Sequence, residues 1–373
     1  MSLQSNKFPF YQKLASVLVV LIAIGYLVIQ GKQILSPLIF SCLFSILLLP
    51  IASFMEKKLG FRRGLAAIVS VLLLLIFVAA IIYFIAIQMR DMADDWPQFK
   101  VQLNSSIASI QHWIAIRFHV NSTKQLAFLK SAGEKFLDSG TVVLGITIVS
   151  LSSIILFFVF TFIYTLFLLS YRRLIMRFLL SVFLEENSTV VHDIIEQVQQ
   201  ILRKYIIGLF IEMCVVSTTV CVVFWALGIK YNILLAIITG LFNIIPYVGI
   251  FTATMLSLII TFATAATTGK LFLVAITLIT THLVDSNILL PRIVGSKVKI
   301  NPLITVLGVV MGEMIWGVPG MFLSIPVIAV LKIIFDRVDS LKPWGILLGE
   351  EQKKTPLKKI SHKMQSTTKD QHK

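Results

Sequence analysis

Residues 240–249 read G-L-F-N-I-I-P-Y-V-G and lie inside a run, residues 231–269, that holds no Asp, Glu, Lys or Arg over 39 positions. As one straight helix that run would measure about 58 Å, roughly twice the hydrocarbon thickness of a bilayer. It is too long for one ordinary span. Pro246 lacks a backbone donor and disfavours helix at Ile245, while Gly249 tolerates left-handed backbone. Polar Asn243 stands just before the break. The stretch therefore predicts a broken helix with polar groups at membrane depth, an element from which many transporters build a binding site.

The composition around it fits. The chain is 57% hydrophobic and 14% charged, with a mean hydropathy of +0.91. Soluble domains carry about a quarter charged residues. Several long apolar runs predict an all-α polytopic membrane protein whose first partner is the lipid bilayer. No small-residue cleavage site follows the first apolar run, so no cleavable signal peptide is expected. The net charge of +15 collects in loops and in the C-terminal tail, as positive-inside orientation requires. No aromatic platform interleaves with it, which argues against nucleic acid as a partner. Cys42, Cys214 and Cys221 all sit in apolar segments and read as packing residues. Without CxxC or Cys/His clusters, neither a metal site nor a disulfide framework is predicted, and no cofactor is expected.

Taken outward, the chain divides into five parts. Residues 1–89 hold three spans (14–31, 34–55 and 64–89), with an E-K-K-L-G-F-R-R inside loop of net charge +3 at 56–63. Residues 90–138 carry six basic and five acidic residues, and Leu103, Ile107, Ile110 and Ile114 recur at helical spacing. They read as an extracytoplasmic amphipathic insertion, either a cover over the core or a gate. Residues 139–204 hold the fourth span, a second inside marker at Tyr171-Arg172-Arg173, and cytoplasmic linker helices, with a turn and N-cap at Asn187–Ser188. Residues 205–336 form the expected transport core. Within it a second overlong apolar run, 303–335, is broken at Trp316-Gly317-Val318-Pro319-Gly320. Residues 337–373 read as a basic cytoplasmic tail, disordered at its end.

Two topologies fit. Each overlong run could cross once, giving eight spans and placing Arg292, Lys297 and Lys299 outside. Alternatively each run folds into a re-entrant hairpin at its Pro/Gly break, leaving six full crossings and that basic loop inside. The 14-residue halves 232–245 and 303–316 are short for full spans, and the positive-inside rule favours the hairpins. Both topologies keep the two termini cytoplasmic.

The ordered motifs R-K-Y-I-I-G (203–208), N-I-I-P-Y-V-G (243–249), N-I-L-L-P-R-I-V-G (287–295), N-P-L (301–303) and W-G-V-P-G-M-F-L-S-I-P (316–326) resemble those of the autoinducer-2 exporter family, the PerM-like permeases. The resemblance covers nearly the whole chain and is densest over 203–331. It implies a multi-pass transporter of the bacterial inner membrane that assembles as a homo-oligomer, with a pentamer among the expected assemblies. It also implies export of autoinducer-2 or sodium/proton exchange. One departure stands out: the family pattern leads to Gln or Glu before the Asn of N-I-L-x-P, whereas here the run is His282-Leu283-Val284-Asp285-Ser286-Asn287.

An ionisable residue inside a span is costly and is a functional candidate by default. Four arise: Glu212, His282, Asp285 and Glu313. Asp285, with Asn287 beside it and Pro291 after it, could take Na⁺ or H⁺; the plainer alternative is a carboxylate at the membrane boundary. Glu313 would hang near the tip of the second hairpin, as a transport residue or in water. His282, one turn before Asp285, could relay protons or simply pack. Glu212 reads as structural, paired by snorkelling with Lys204 or Arg203 or with a residue on another helix. Asn243, Pro246 and Gly249 form one break, and Gly317, Pro319 and Gly320 the other. Broken-helix ends expose backbone groups to ions or polar solute atoms, though a break can also be a hinge with no ligand. Gly240, Gly308 and Gly312 read as close-approach positions between helices. The expected site sets both breaks facing Asp285 and Asn287 across a cavity.

No G-x-S-x-G, H-E-x-x-H or P-loop is present, which argues against an enzyme and against an ATP-driven pump. The leading expectation is a secondary transporter that exports or exchanges a small polar solute or ions, coupled to H⁺ or Na⁺. A passive pore and a non-transporting membrane scaffold are the alternatives.

Overall fold

A computed structural model describes residues 10–95, 147–182, 188–245, 248–264, 268–289 and 300–350, with isolated positions between them. Most of the amphipathic insertion lies outside the described residues, as do Pro246, Pro291, the loop positions 293–299 and the tail from 351. Among the described residues the chain is helical almost throughout, with one isolated bridge between Ile300 and Gly349.

The helices are α1 (Phe10–Gln30), α2 (Lys32–Lys58), α3 (Arg63–Asp94), α4 (Thr147–Val182), α5 (Ser188–Ala226), α6 (Asn232–Asn243), α7 (Val248–Thr264) and α8 (Thr268–Val284). A π-helical turn, Asp285–Leu289, follows α8 directly. Then come α9 (Pro302–Trp316), α10 (Val318–Arg337) and a short α11 (Lys342–Leu348). Six helical stretches among the described residues are long and apolar enough to cross a membrane. Their outward faces are covered with exposed Leu, Ile, Val and Phe, which suits lipid rather than water. The expected linker helices are not separate elements. The α4 helix runs eleven residues past Tyr171, and α5 begins at Ser188 and continues unbroken through the fifth span.

Two hydrogen-bonded closures decide between the topologies. Lys270 at the start of α8 donates from Nζ to the Gly228 carbonyl at 2.9 Å. The first overlong run therefore ends where it began. Leu235, Ala236 and Ile260 share one buried cluster, although a straight helix would hold positions 235 and 260 about 37 Å apart. The second run closes in the same way. The Asn301 N–H donates to the Leu348 carbonyl at 2.9 Å, and Gly308 lies against Ser324 and Ile328 while Gly312 meets Gly320. Both runs are antiparallel helical hairpins, and the single-crossing topology is set aside. With 12 residues, α6 spans only about 18 Å, well short of the 30 Å hydrocarbon core.

Ion pairs group the loop ends. Arg172 donates to Glu56 at 2.6 Å, which joins the two expected inside markers. Arg337 at the end of α10 pairs with Asp193 near the start of α5. At the far end of α5, Lys230 pairs with Asp95 at 2.7 Å, and Tyr231, in a left-handed conformation (φ 59°), also donates to Asp95. The Lys230 ammonium and the Tyr231 hydroxyl hold the Asp95 carboxyl below the usual carboxylate range. The first part of the expected tail is folded. Gly345 of α11 packs on Asp336, where a Cβ would lie 2.3 Å from the carboxyl oxygen and 3.2 Å from the backbone nitrogen.

Candidate functional site

The site begins with a glycine. A Cβ at Gly240 would lie 1.9 Å from Ser217 Oγ and 2.8 Å from the Met213 carbonyl, so only glycine lets α6 approach α5 this closely. One turn further on, that approach brings the α6 C-terminus against Glu212. The hairpin then folds sharply. Gly249 packs so closely on the Phe242 carbonyl that a Cβ would overlap it. The helix does end at Asn243, but Gly249 lies in the first turn of α7 and is not among the positive-φ glycines, so it serves close packing rather than left-handed backbone; Pro246 itself is outside the described residues.

Asn243 is the hub. Its side-chain amide donates to Glu212 Oε1 at 3.1 Å and to Asp285 Oδ2 at 3.0 Å. One nitrogen therefore holds two carboxyls from α5 and from the π-helical turn, with their bonded oxygens no more than about 6 Å apart. Both acids are buried: Glu212 is 2% exposed and Asp285 5%. Their second oxygens, Glu212 Oε2 and Asp285 Oδ1, are buried with no hydrogen-bond partner among the described residues. No Lys or Arg is paired with either acid among the described residues. Two negative charges in such a place are not sustained by one amide, so the cluster needs a further positive charge, H⁺ or a metal cation.

The π-helical turn presents Asp285. Widening the ladder to i→i+5 rotates the side chains that follow, and such turns recur at functional sites. Here Ser286 Oγ donates to the His282 carbonyl at 2.8 Å and Asn287 Nδ2 to the Leu283 carbonyl at 2.7 Å. These bonds satisfy carbonyls where the regular pattern changes.

The structure brings together two of the expected site residues, Asn243 and Asp285. Asn287 is exposed and bonded within its own turn. His282 lies with its ring 3.4 Å from Ser286 Oγ, not on Asp285. Glu313 is exposed, and it joins the second break through its backbone carbonyl, which accepts the Gly317 N–H at 2.7 Å. That break is formed as expected, with Gly317 at φ 68° and Pro319 in the first turn of α10. Its surroundings differ from the expectation. Trp316 is buried with Leu43, Leu202 and Leu323 and donates from Nε1 to the Val28 carbonyl at 3.0 Å. The second break is thus anchored on α1, α2 and α5 rather than facing Asp285. Glu212, expected to pair either with Lys204 or Arg203 or with a residue on another helix, takes the second course. Lys204 is exposed, and the partner of Glu212 is on another helix. The available signal was its place as a carboxylate deep in an apolar segment.

Comparison with known proteins agrees with this architecture. The sequence profile described as "AI-2E family transporter" matches residues 16–340. The chain is similar to "Putative transport protein YrrI" of Bacillus subtilis, 26% identical over 316 residues that cover 81% of this chain and 86% of that one. It is also similar to "Putative transport protein YhhT" of Escherichia coli K12, 24% identical over 354 residues, 92% and 95% of the two chains.

Proposed function

The chain belongs to the AI-2E family of transporters, and from that premise we propose that it is a secondary transporter in which the Glu212–Asn243–Asp285 cluster carries the coupling ion, H⁺ or Na⁺. One observation supports the reading above all: a single amide on a broken helix holds two buried carboxyls drawn from two other elements. A cluster short of one positive charge binds a cation. A hinge at Asn243 lets it bind on one side and release on the other. The cargo in this reading is a small polar solute, of the autoinducer-2 kind or an ion, exported or exchanged across the bacterial inner membrane. The chain acts as a homo-oligomer with both termini in the cytoplasm. The arrangement of hairpins entering from opposite ends of the bundle supports an alternating-access carrier over a static pore.

The test is reconstitution into proteoliposomes with an imposed pH or sodium gradient. Proton movement driven by Na⁺, or sodium movement driven by ΔpH, is expected in the parent and lost in Glu212→Gln and Asp285→Asn. Unchanged coupled flux in both variants would remove the cluster from the mechanism. Single-channel currents would replace the carrier with a pore.

A further inference from the structure

The short helix α11 follows α10 after a single reversing turn, Asp339–Leu341. It runs back along the helix it has just left. Gly345 packs on Asp336, and Gly349 lies beside the Lys332 side chain, so four residues forward past α11 step four residues backward on α10. The Leu348 carbonyl meets the Asn301 N–H, and Gly349 bridges to Ile300. The C-terminal end of α11 is therefore level with the last turns of α10, an apolar stretch long enough to cross a membrane that ends at Arg337. Successive helical positions step by about 100°. That places Ile346, Pro343, Leu347 and Trp344 on one arc, centred opposite Gly345. Trp344 is 58% exposed, Ile346 79% and Leu347 53%, and the arc holds no polar side chain. At the outer end, Lys342 pairs with Asp339 at 2.6 Å, and both are exposed.

We propose that α11 is an interfacial foot whose apolar arc lies among phospholipid headgroups and the first acyl carbons, with lipid as its occupant. Its level favours lipid over a soluble partner: Ile346 and Leu347 stand beside the final turns of a membrane-crossing stretch, not beyond them. So does the order of its side chains. From the outer end inward come the Asp339–Lys342 ion pair, then Trp344, then Ile346 and Leu347. Charge, indole and aliphatic chain follow one another as the layers of a membrane surface do. Left in water, three large apolar side chains on one arc would have no compensating burial. The sequence that follows does not supply it: residues 351–373 offer only Leu357, Ile360 and Met364 as large apolar side chains. They do carry seven Lys against one Glu and one Asp, a balance drawn to anionic headgroups. Through Asn301 and Leu348 the same foot fixes the mouth of the second hairpin at the membrane surface.

The experiment is electron paramagnetic resonance of the full chain in nanodiscs of phosphatidylcholine and phosphatidylglycerol. Cys42, Cys214 and Cys221 are replaced by Ala, and a nitroxide is attached through Ile346→Cys, Leu347→Cys or, as the outer reference, Asp339→Cys. Collisions with oxygen, which concentrates in lipid, are compared with collisions with a water-soluble nickel chelate. The oxygen-to-nickel ratio should be above one at 346 and 347 and below one at 339. A ratio at 346 and 347 equal to that at 339 would overturn the proposal and leave the arc to a soluble partner. Shielding of 346 and 347 from both reagents would overturn it in favour of protein cover, by a second copy or by residues 351–373. The parent, with its cysteines intact, gives an independent reading. Phospholipid brominated near the headgroup should quench part of its tryptophan emission, and Trp344→Phe should lose less emission to that quencher. Equal losses in parent and variant would place the indole away from lipid and sink the proposal.

Discussion

Replacing Asn243 with Leu removes the hub's hydrogen bonds while keeping the same branched heavy-atom framework. The amide donates two hydrogen bonds, at 3.1 and 3.0 Å, to acids that are 2% and 5% exposed. A hydrogen bond to an ionised group contributes about 1.5–3 kcal/mol and one to a neutral group about 0.5–1.5 kcal/mol. With one of the two carboxyls neutralised by a bound proton, their joint loss is about 2–4.5 kcal/mol. The loss has a ceiling, because the orphaned pair can take up a second positive charge. The assay is equilibrium unfolding of the purified protein in mixed micelles, titrated with a denaturing detergent, run beside coupled flux in proteoliposomes. Asn243→Leu should lose about 2–4.5 kcal/mol and its coupled flux. A double-mutant cycle checks the cause: in a Glu212→Leu background, which removes the acceptor outright, the same substitution should cost at least about 0.5 kcal/mol less. A loss below about 0.5 kcal/mol, the range of an ordinary surface change, or a strictly additive cycle, would refute the idea that one amide holds both acids.

Three further outcomes are expected. Gly240→Ala places a Cβ 2.8 Å from the fixed Met213 carbonyl; the Ser217 hydroxyl can rotate away, but the backbone must retreat by about half an ångström to reach ordinary contact. That stretches the 3.1 Å Asn243–Glu212 bond past hydrogen-bonding range, so coupled flux should fall while the chain still purifies folded. Gly312→Val sets a Cβ 2.3 Å from the Gly320 carbonyl oxygen, and the second hairpin should lose at least about 1–3 kcal/mol, read as a lowered thermal midpoint. Asp95→Asn removes a carboxyl whose pKa is lowered chiefly by its bond to Lys230 and next by Tyr231. A group with a lowered folded pKa contributes fully above the ordinary carboxylate range near pH 4 and loses that contribution as pH falls through its folded value. The variant should therefore melt below the parent at neutral pH and converge with it in acid.

The hairpins were legible in the sequence because two simple quantities conflict. An uncharged run of 39 residues is too long to cross once, and Pro and Gly mark where it turns. Gly240, Gly308 and Gly312 were legible as close-approach positions for the same kind of reason, since a glycine in an apolar helix sacrifices backbone entropy for contact. What the spacing could not supply was which helix lies against which. Glu212 and Asn243 are 31 positions apart, and Asn243 and Asp285 are 42 apart. No helical periodicity reaches across such distances.

That limit leaves the partner of Glu212 open in the sequence, either a base on its own helix or a residue on another. Within α5 the nearest cations are Arg203 and Lys204, and spacing alone can name those but not a neighbour on another helix. In three dimensions the Gly240 approach sets a different neighbour beside it, and the acid is left facing another acid through an amide. Glu313 was open in the same way, a transport residue at the tip of the second hairpin or a carboxylate in water. The second break did form, but Trp316 ties it to Val28 and leaves Glu313 exposed. Two breaks with similar sequence grammar thus serve different physical ends. One surrounds a charge deficit within three packed segments, and the other is fastened by an indole to the first helix. In the ion-coupled reading proposed above, a cation has reason to stop at the first and none to stop at the second. In the proposed carrier, the first hairpin would move against a second that Trp316 anchors to the first helix.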